Sequence, residues 1–211
     1  MTHIYTTRAS LSLDLCEVIT YVSDMTSRIA NRLGALALAV ADAIERAAGN
    51  LPGGANAGAA LVAICNHPNE NIRVLQGALG LTHSGVVRLL DGLEGAGFVE
   101  RRRGVAEDGR AAAVIPTKKG RRRAQDILRA RAAALDDSIA ELPLGHKMAL
   151  EAAVDAMLAA LTRMPADARR VCRLCDEDVC RPSGCPVEIK AKGFKLAIHS
   201  AGDGHAAKRR Q

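Results

Sequence analysis

Apolar residues recur every three or four positions along most of the chain as far as Arg163, which is the spacing of helices that bury one face. The longest run extends from Leu15 to Ile44 and stops at GNLPGG, where glycines and a proline favour the end of a helix. A break near Gly34 would divide this helix in two. Because so long a helix cannot bury its whole apolar stripe against a small domain, we expect it to contact a second subunit.

The stretch NENIRVLQGALGLTHSGVVRLLDGLEGAG has the pattern of two short helices joined by a tight turn. Ile72, Leu75 and Leu79 mark the first helix, and Gly80 supplies the turn. Thr82 is a favourable N-cap for the second helix. The buried face of that helix is predicted to consist of Val86, Leu89, Leu90 and Leu93. Two short helices joined by a glycine-containing turn are typical of a helix-turn-helix.

A β-hairpin is predicted directly after this motif, because the strand-like runs FVERRR and AAAVIPT flank the polar loop GVAEDGR. A hairpin with a charged tip in this position is a wing. Thr117 then caps a second long helix, and Pro143 separates it from a further helical run. The predicted fold class is mainly α, a winged helix-turn-helix with a two-stranded β-wing and long helices at both ends.

Composition narrows the function classes. Aromatic residues make up only 2% of the chain against 48% hydrophobic residues, so the core must be aliphatic, and an all-β sandwich is disfavoured. The net charge of +6 and the three arginine-rich clusters suggest a polyanionic partner, either nucleic acid or an anionic membrane surface. No apolar run reaches the roughly 18 residues of a membrane helix, and acidic residues near the N-terminus argue against a signal peptide. We therefore expect a cytoplasmic protein without a membrane partner.

The span from Leu75 to Arg122 resembles the MarR family of winged helix-turn-helix transcriptional regulators. The shared run contains Ser84, Val86, Arg88, Leu89, Leu93, Gly97, Val99, Arg101, the wing-tip residues Asp108, Gly109 and Arg110, and PTKKG from Pro116. Weaker agreement extends over 27–163. The chain departs from the family pattern at His83 and Gly85, so no DNA sequence preference is transferred.

The resemblance implies roles for individual residues. The N-terminal part of the second helix enters the major groove, Arg110 reaches into the minor groove from a loop held by Asp108, and the arginines of the first strand contact phosphates. The candidate DNA-binding residues are Thr82, His83, Ser84, Arg88, Arg101, Arg102, Arg103, Asp108, Arg110 and Lys118. The alternative for Arg88 is an ion pair with Asp91 on the helix surface.

The resemblance also implies the assembly and the ligands. It predicts a homodimer held by the terminal helices, which binds a pseudo-palindromic operator in double-stranded DNA and acts as a repressor. Many relatives release DNA when a small aromatic ligand binds, so a small-molecule effector is a further prediction.

Four cysteines, Cys172, Cys175, Cys180 and Cys185, lie within the stretch VCRLCDEDVCRPSGCPVE. In a reducing compartment such a cluster favours metal binding over structural disulfides. Four thiolates suit a closed zinc site, which would fold a segment whose apolar anchors are Val171, Leu174 and Val179. A four-iron iron-sulfur cluster is the second interpretation, and thiols that form a reversible disulfide, without any cofactor, are the third.

The predicted organisation has four parts. An N-terminal extension covers 1–26, the MarR-type domain 27–163, the cysteine-rich segment 164–188, and a basic, disordered tail 189–211. The predicted function is a DNA-binding transcriptional regulator with a metal or redox site and no enzymatic activity. The alternatives are a metal- or thiol-dependent oxidoreductase, a metal-dependent hydrolase, and a single-stranded RNA binder that uses a zinc knuckle.

Overall fold

The computed structural model describes residues 15–69, 72–102 and 113–194, with residues 15–20 described for the backbone alone. The helices are α1 Leu15–Ala48, α2 Gly54–Asn66, α3 Ile72–Leu79, α4 His83–Gly95, α5 Lys118–Ala140, α6 Leu144–Leu161, α7 Pro165–Val171, α8 Glu177–Cys180 and α9 over 186–194. The strands are β1 Val99–Arg102 and β2 Ala113–Pro116, and a single 3-10 turn covers Arg181–Ser183. The predicted fold class, mainly α with a two-stranded wing, is confirmed.

Backbone contacts divide the chain into two units after Ala39. In the first unit α1 passes through Gly34 without a break. Its described apolar side chains are largely solvent-exposed, and the most exposed are Tyr21, Val22, Ile29, Leu36 and Leu38. This part of α1 thus carries the unburied apolar stripe that the sequence predicts.

The core of the second unit is built around α2. Leu61 and Val62 of this helix are fully buried and pack with residues of α3, α4, α5 and both strands. The predicted buried face of α4, namely Val86, Leu89, Leu90 and Leu93, is confirmed, since each of these side chains is at most 8% exposed. An aliphatic core therefore holds the helix-turn-helix and the base of the wing together.

The turns of the helix-turn-helix follow the predicted chemistry. Gly80 has φ of 66°, a left-handed conformation that glycine adopts without strain. The Thr82 hydroxyl accepts a hydrogen bond from the backbone N–H of Gly85 at 3.2 Å, which caps α4. The first residue of α4 is thus defined by local sequence.

The wing strands pair antiparallel, with Val99 opposite Pro116 and Arg102 opposite Ala113. Thr117 caps α5 as predicted, accepting from the N–H of Gly120 at 3.0 Å and donating to the carbonyl of Gly97 at 2.8 Å. One side chain therefore joins the start of α5 to the base of the wing. The predicted tip residues, Arg103, Asp108 and Arg110, lie outside the described residues.

The cysteine-rich segment is more regular than the sequence suggests. Three short helices and a 3-10 turn cover most of 165–194. The apolar spacing does not predict them, because α7 and α8 each contain only one large aliphatic residue, Val171 and Val179. Leu174 packs against the core as expected, but Val179 is 71% exposed, and the buried residues are Cys185 and Val187. The last helix, α9, continues beyond residue 189.

Among the helices of the described residues, none is both long and apolar enough to cross a bilayer.

Candidate functional site

The N-terminal edge of α4 is exposed and polar. The side chains of Thr82, His83, Ser84 and Arg88 all face solvent, opposite the buried apolar face of the same helix. Nδ1 of His83 lies 3.4 Å from Oε1 of Gln76 on α3. The structure thus brings together the four predicted contact residues of α4, and the histidine links them to the first helix of the motif.

Arg88 presents its guanidinium to solvent without an ion pair among the described residues. Its predicted alternative partner, Asp91, is 2.6 Å from Nη1 of Arg101 instead. The positive charge of Arg88 is therefore available to a partner outside the chain.

Arg101 and Arg102 are adjacent on β1 and have different environments. Arg101 is 24% exposed, and its Nη1 also donates to Glu94 at 2.9 Å, while its backbone N–H donates to the second carboxylate oxygen of Glu94 at 3.0 Å. Arg102 is 60% exposed and has one long ion pair, with Glu100 at 3.5 Å. Successive strand residues face opposite ways, so Arg101 ties the wing to α4 and Arg102 points outward.

The start of α5 adds an exposed basic surface. Lys118, a predicted contact residue, is exposed, as are Arg121 and Arg122 on the next turn. Lys119 donates to the carbonyl of Ala96 at 2.8 Å and lies over the ring of Phe98, so it fastens the helix to the wing.

All four predicted metal-ligating cysteines line one surface cavity of about 250 Å³. Cys175 is the central thiol: it is hydrogen-bonded to Cys172, and its Sγ lies 3.5 Å from Sγ of Cys180. Cys185 is only 8% exposed. These four cysteines are free thiols.

The contacts between thiols alter their acidity. The hydrogen bond with Cys175 lowers the pKa of Cys172, and the same bond, followed by burial, raises the pKa of Cys175. Burial and the contact with Cys175 raise the pKa of Cys180 to about 11. Of Cys172, Cys175 and Cys180, the central thiol therefore holds its proton most tightly, and Cys172 loses one most easily.

The four cysteines suit a metal ion in the type of their donor atoms and in their closeness to one another. The 3.5 Å between the sulfurs of Cys175 and Cys180 is close to the roughly 3.8 Å edge of a zinc tetrathiolate with bonds of about 2.3 Å. Within the described ranges, however, no three His, Cys, Asp or Glu side chains are already arranged around a common point where an ion would sit. Metal binding would thus require the thiols to draw together.

The cysteine segment is joined to the end of α2 by polar contacts that sequence reasoning missed. Asn66 donates from Nδ2 to the carbonyl of Cys175 at 2.9 Å, and Nε2 of His67 lies 2.7 Å from Oε1 of Glu177. Glu177 also pairs with Arg181 at 2.9 Å. Asn66 and His67 are more than 100 residues from Cys175 and Glu177 in the chain, so no local signal reveals these two contacts.

Comparisons with known proteins show which solved structures share this architecture. No family model and no curated protein sequence matches the chain. Its structure is similar to that of Rv1404 from Mycobacterium tuberculosis, with 23% identity and a TM-score of 0.51 over 71% of this chain and 95% of that one. A MarR family transcription regulator gives 20% identity and a TM-score of 0.55 over 68% of this chain and 97% of that chain. The multiple antibiotic-resistance repressor of Listeria monocytogenes gives 17% identity and a TM-score of 0.51 over 65% of this chain and 98% of that chain.

At these identities the similarity establishes a shared fold, the MarR-type winged helix, and confirms that predicted resemblance at the level of the fold. The matched structures are covered almost completely, whereas about a third of this chain lies outside each match.

Proposed function

We propose that this chain, which has the fold of the MarR-type winged helix regulators, is a transcriptional regulator that binds double-stranded DNA. The observation that carries the proposal is the exposed N-terminal edge of α4, where His83, Ser84 and Arg88 stand opposite the buried face of the helix. A helix with this polarity, supported on its inner side by a core, fits the major groove, and its N-terminal residues come nearest the bases.

The surrounding charge supports the same function. Arg102 on β1 and Lys118 on α5 are exposed on elements that meet at the base of the wing. Such cations contact phosphates and supply affinity that depends on salt and not on sequence. Arg103, Asp108 and Arg110 of the wing tip remain proposed contacts on the basis of the sequence resemblance.

We also propose that the regulator is a homodimer. Helix α6 has no buried side chain, and its exposed apolar residues include Leu144, Met148, Val154, Met157 and Leu161. A second copy would cover this surface and the apolar stripe of α1, and would give two recognition helices for a pseudo-palindromic operator. Repression and a small-molecule effector remain predictions from the resemblance.

The four cysteines are proposed to bind zinc or an iron-sulfur cluster. They would supply four thiolates, and the ion or cluster would cross-link a short segment that buries few apolar residues of its own. Because protons compete with the metal for sulfur, binding should strengthen as pH rises. Absorbance in the visible region together with sulfide analysis distinguishes the two, since zinc is colourless. Anaerobically purified protein that holds no zinc, no iron and no sulfide would contradict the proposal.

The DNA-binding proposal is tested by enrichment. The purified chain is used to select duplexes from a random-sequence library, and the enriched sequence is then compared as duplex and as single strand. We expect a two-fold symmetric sequence and a large preference for the duplex. Equal affinity for the single strand, or for single-stranded RNA, would favour the zinc-knuckle alternative.

A further inference from the structure

The cysteine segment is docked on the helix-turn-helix itself. Helix α7 packs against α3, the first helix of the motif, and Leu174 packs against the main core. A small depression between the two is lined by Val74, Leu75 and Ala78 of α3 and by Cys172 and Arg173 of the segment. The segment thus contacts the helix on which the recognition helix rests.

Two polar links join this segment to the chain just before α3. Asn66 holds the carbonyl of Cys175, which belongs to a proposed ligand, and His67 holds Glu177, which lies between two proposed ligands. The His67 and Glu177 side chains are only 16% and 15% exposed. A largely buried, hydrogen-bonded pair of this kind is sensitive to small displacements, because removing either partner leaves the other poorly solvated.

From there the contacts continue to the DNA-binding edge. Helix α3 packs on α4, the backbone N–H of Leu81 donates to the carbonyl of Gln76, and Oε1 of Gln76 lies 3.4 Å from Nδ1 of His83. The position of α3 therefore sets the position of the first residues of α4.

We propose that the four-cysteine site regulates DNA binding through this docking interface, with His67 and Asn66 as the positioning residues. This inference rests on the proposed metal site. A metal bound by the thiolates fixes Cys175 and α8, and so lowers the entropy lost when the segment docks on Asn66, His67 and α3. Metal binding then orders α3 and raises the affinity for DNA. Loss of the metal reduces the order of α3 and the affinity for DNA. By linkage, DNA raises metal affinity by the same factor.

The test follows amide hydrogen exchange in the full chain, loaded with Zn²⁺ or stripped of metal by a chelator. In the unmodified chain we expect Zn²⁺ to slow exchange in both residues 172–185 and α3. In the double variant Asn66→Ala, His67→Ala we expect slowing in 172–185 alone. Gln125→Ala is the control, since this polar side chain is exposed on α5, outside both the cysteine segment and its contacts with α2. This control should behave as the unmodified chain.

A second measurement gives the functional effect. The affinity for a duplex enriched by the zinc-loaded chain should fall on chelation by a factor within the roughly 5- to 150-fold range of allosteric couplings. The double variant should show no such dependence while binding the same amount of Zn²⁺.

The outcomes separate the two proposals. If Zn²⁺ slows exchange in 172–185 but not in α3 of the unmodified chain, the metal site stands and the regulatory inference is wrong. The inference is equally wrong if the double variant keeps the full response of α3. If Zn²⁺ changes neither segment, the proposed zinc site itself fails, and the inference drawn from zinc binding fails with it.

Discussion

Nη1 of Arg101, on β1, lies 2.6 Å from Oδ1 of Asp91, on α4. The contact joins the two elements that a winged helix uses to hold DNA. The sequence suggests that Arg101 contacts phosphate, but in the structure its guanidinium is engaged by Asp91 and Glu94 of the same chain.

Replacing Arg101 and Arg102 one at a time should separate structure from binding. Arg101→Ala should lower the free energy of unfolding by about 1 kcal/mol, since it removes a partly exposed ion-pair network. Arg102→Ala should leave stability unchanged and reduce the salt dependence of DNA affinity by about one unit of slope. Urea unfolding and salt titrations of binding measure the two effects. Equal losses of stability in both variants would contradict the assignment.

Arg88→Ala should weaken binding to the enriched duplex by roughly 10- to 100-fold, because it removes a recognition-helix cation that can reach a base edge or phosphate. Its stability should not change, as the side chain is exposed and lacks an ion pair in the described structure. Arg129→Ala is a suitable control: this arginine is also exposed, but it lies on α5 beside Asp126. If both variants bind as the unmodified chain does, α4 is not the DNA-contacting helix.

Gly120 should tolerate no side chain. A Cβ at this position would overlap the carbonyl oxygen of Phe98 and approach Leu61 to 3.3 Å, where α5 meets the base of the wing. We expect Gly120→Ala to lower the free energy of unfolding by about 3 kcal/mol. Gly77→Ala is the control, since nothing lies within 4 Å of its Cβ and alanine favours a helix by up to about 1 kcal/mol. Thermal unfolding of the two variants should shift in opposite directions.

A charge on the exposed face of α6 should dissociate the proposed dimer. Met157 is 47% exposed in the single chain, so Met157→Glu should leave the fold of the monomer intact and introduce a charge into a buried apolar interface. Sedimentation should show a shift from dimer to monomer, and circular dichroism should be unchanged. Glu151→Gln, on the same helix, should remain a dimer. A dimer that persists in Met157→Glu would place the interface elsewhere.

Cys65 should make the protein less stable in alkaline solution. Burial raises the pKa of this thiol from its usual value near 9 to about 11. Between these values the unfolded chain loses the proton and the folded chain keeps it, so the free energy of unfolding falls as pH rises from about 9 to about 11. Cys65→Ala should reduce this slope. Urea unfolding at intervals across that pH range measures it, and an unchanged slope in the variant would contradict the assignment.

The fold is largely predictable from local sequence. The residue types alone predict a turn at Gly80 and helix caps at Thr82 and Thr117. The spacing of the four apolar residues of α4 predicts its buried face. The C-terminal helices are not predictable in this way, because α7 and α8 each contain only one large aliphatic residue, Val171 and Val179, so no apolar spacing marks them.

The contacts of the candidate sites depend on distant partners. Arg101 is indistinguishable from Arg102 in the sequence, and only the approach of α4 decides which of them is engaged. In the same way the cysteine spacing indicates a cluster, but not that Asn66 and His67 hold it against α3. Such relationships arise from tertiary packing, which residue spacing does not encode.

The packing of α7 on α3 also constrains how this gene can change. Leu75 is 2% exposed and Ala78 is 3% exposed, and both line the depression shared with the cysteine segment. A stop codon after Arg163 would delete an apparent appendage, yet it would also uncover apolar surface on the helix-turn-helix and favour aggregation. The segment therefore behaves as part of the domain against which it packs, and we expect natural variation to replace the cysteines more readily than to remove α7.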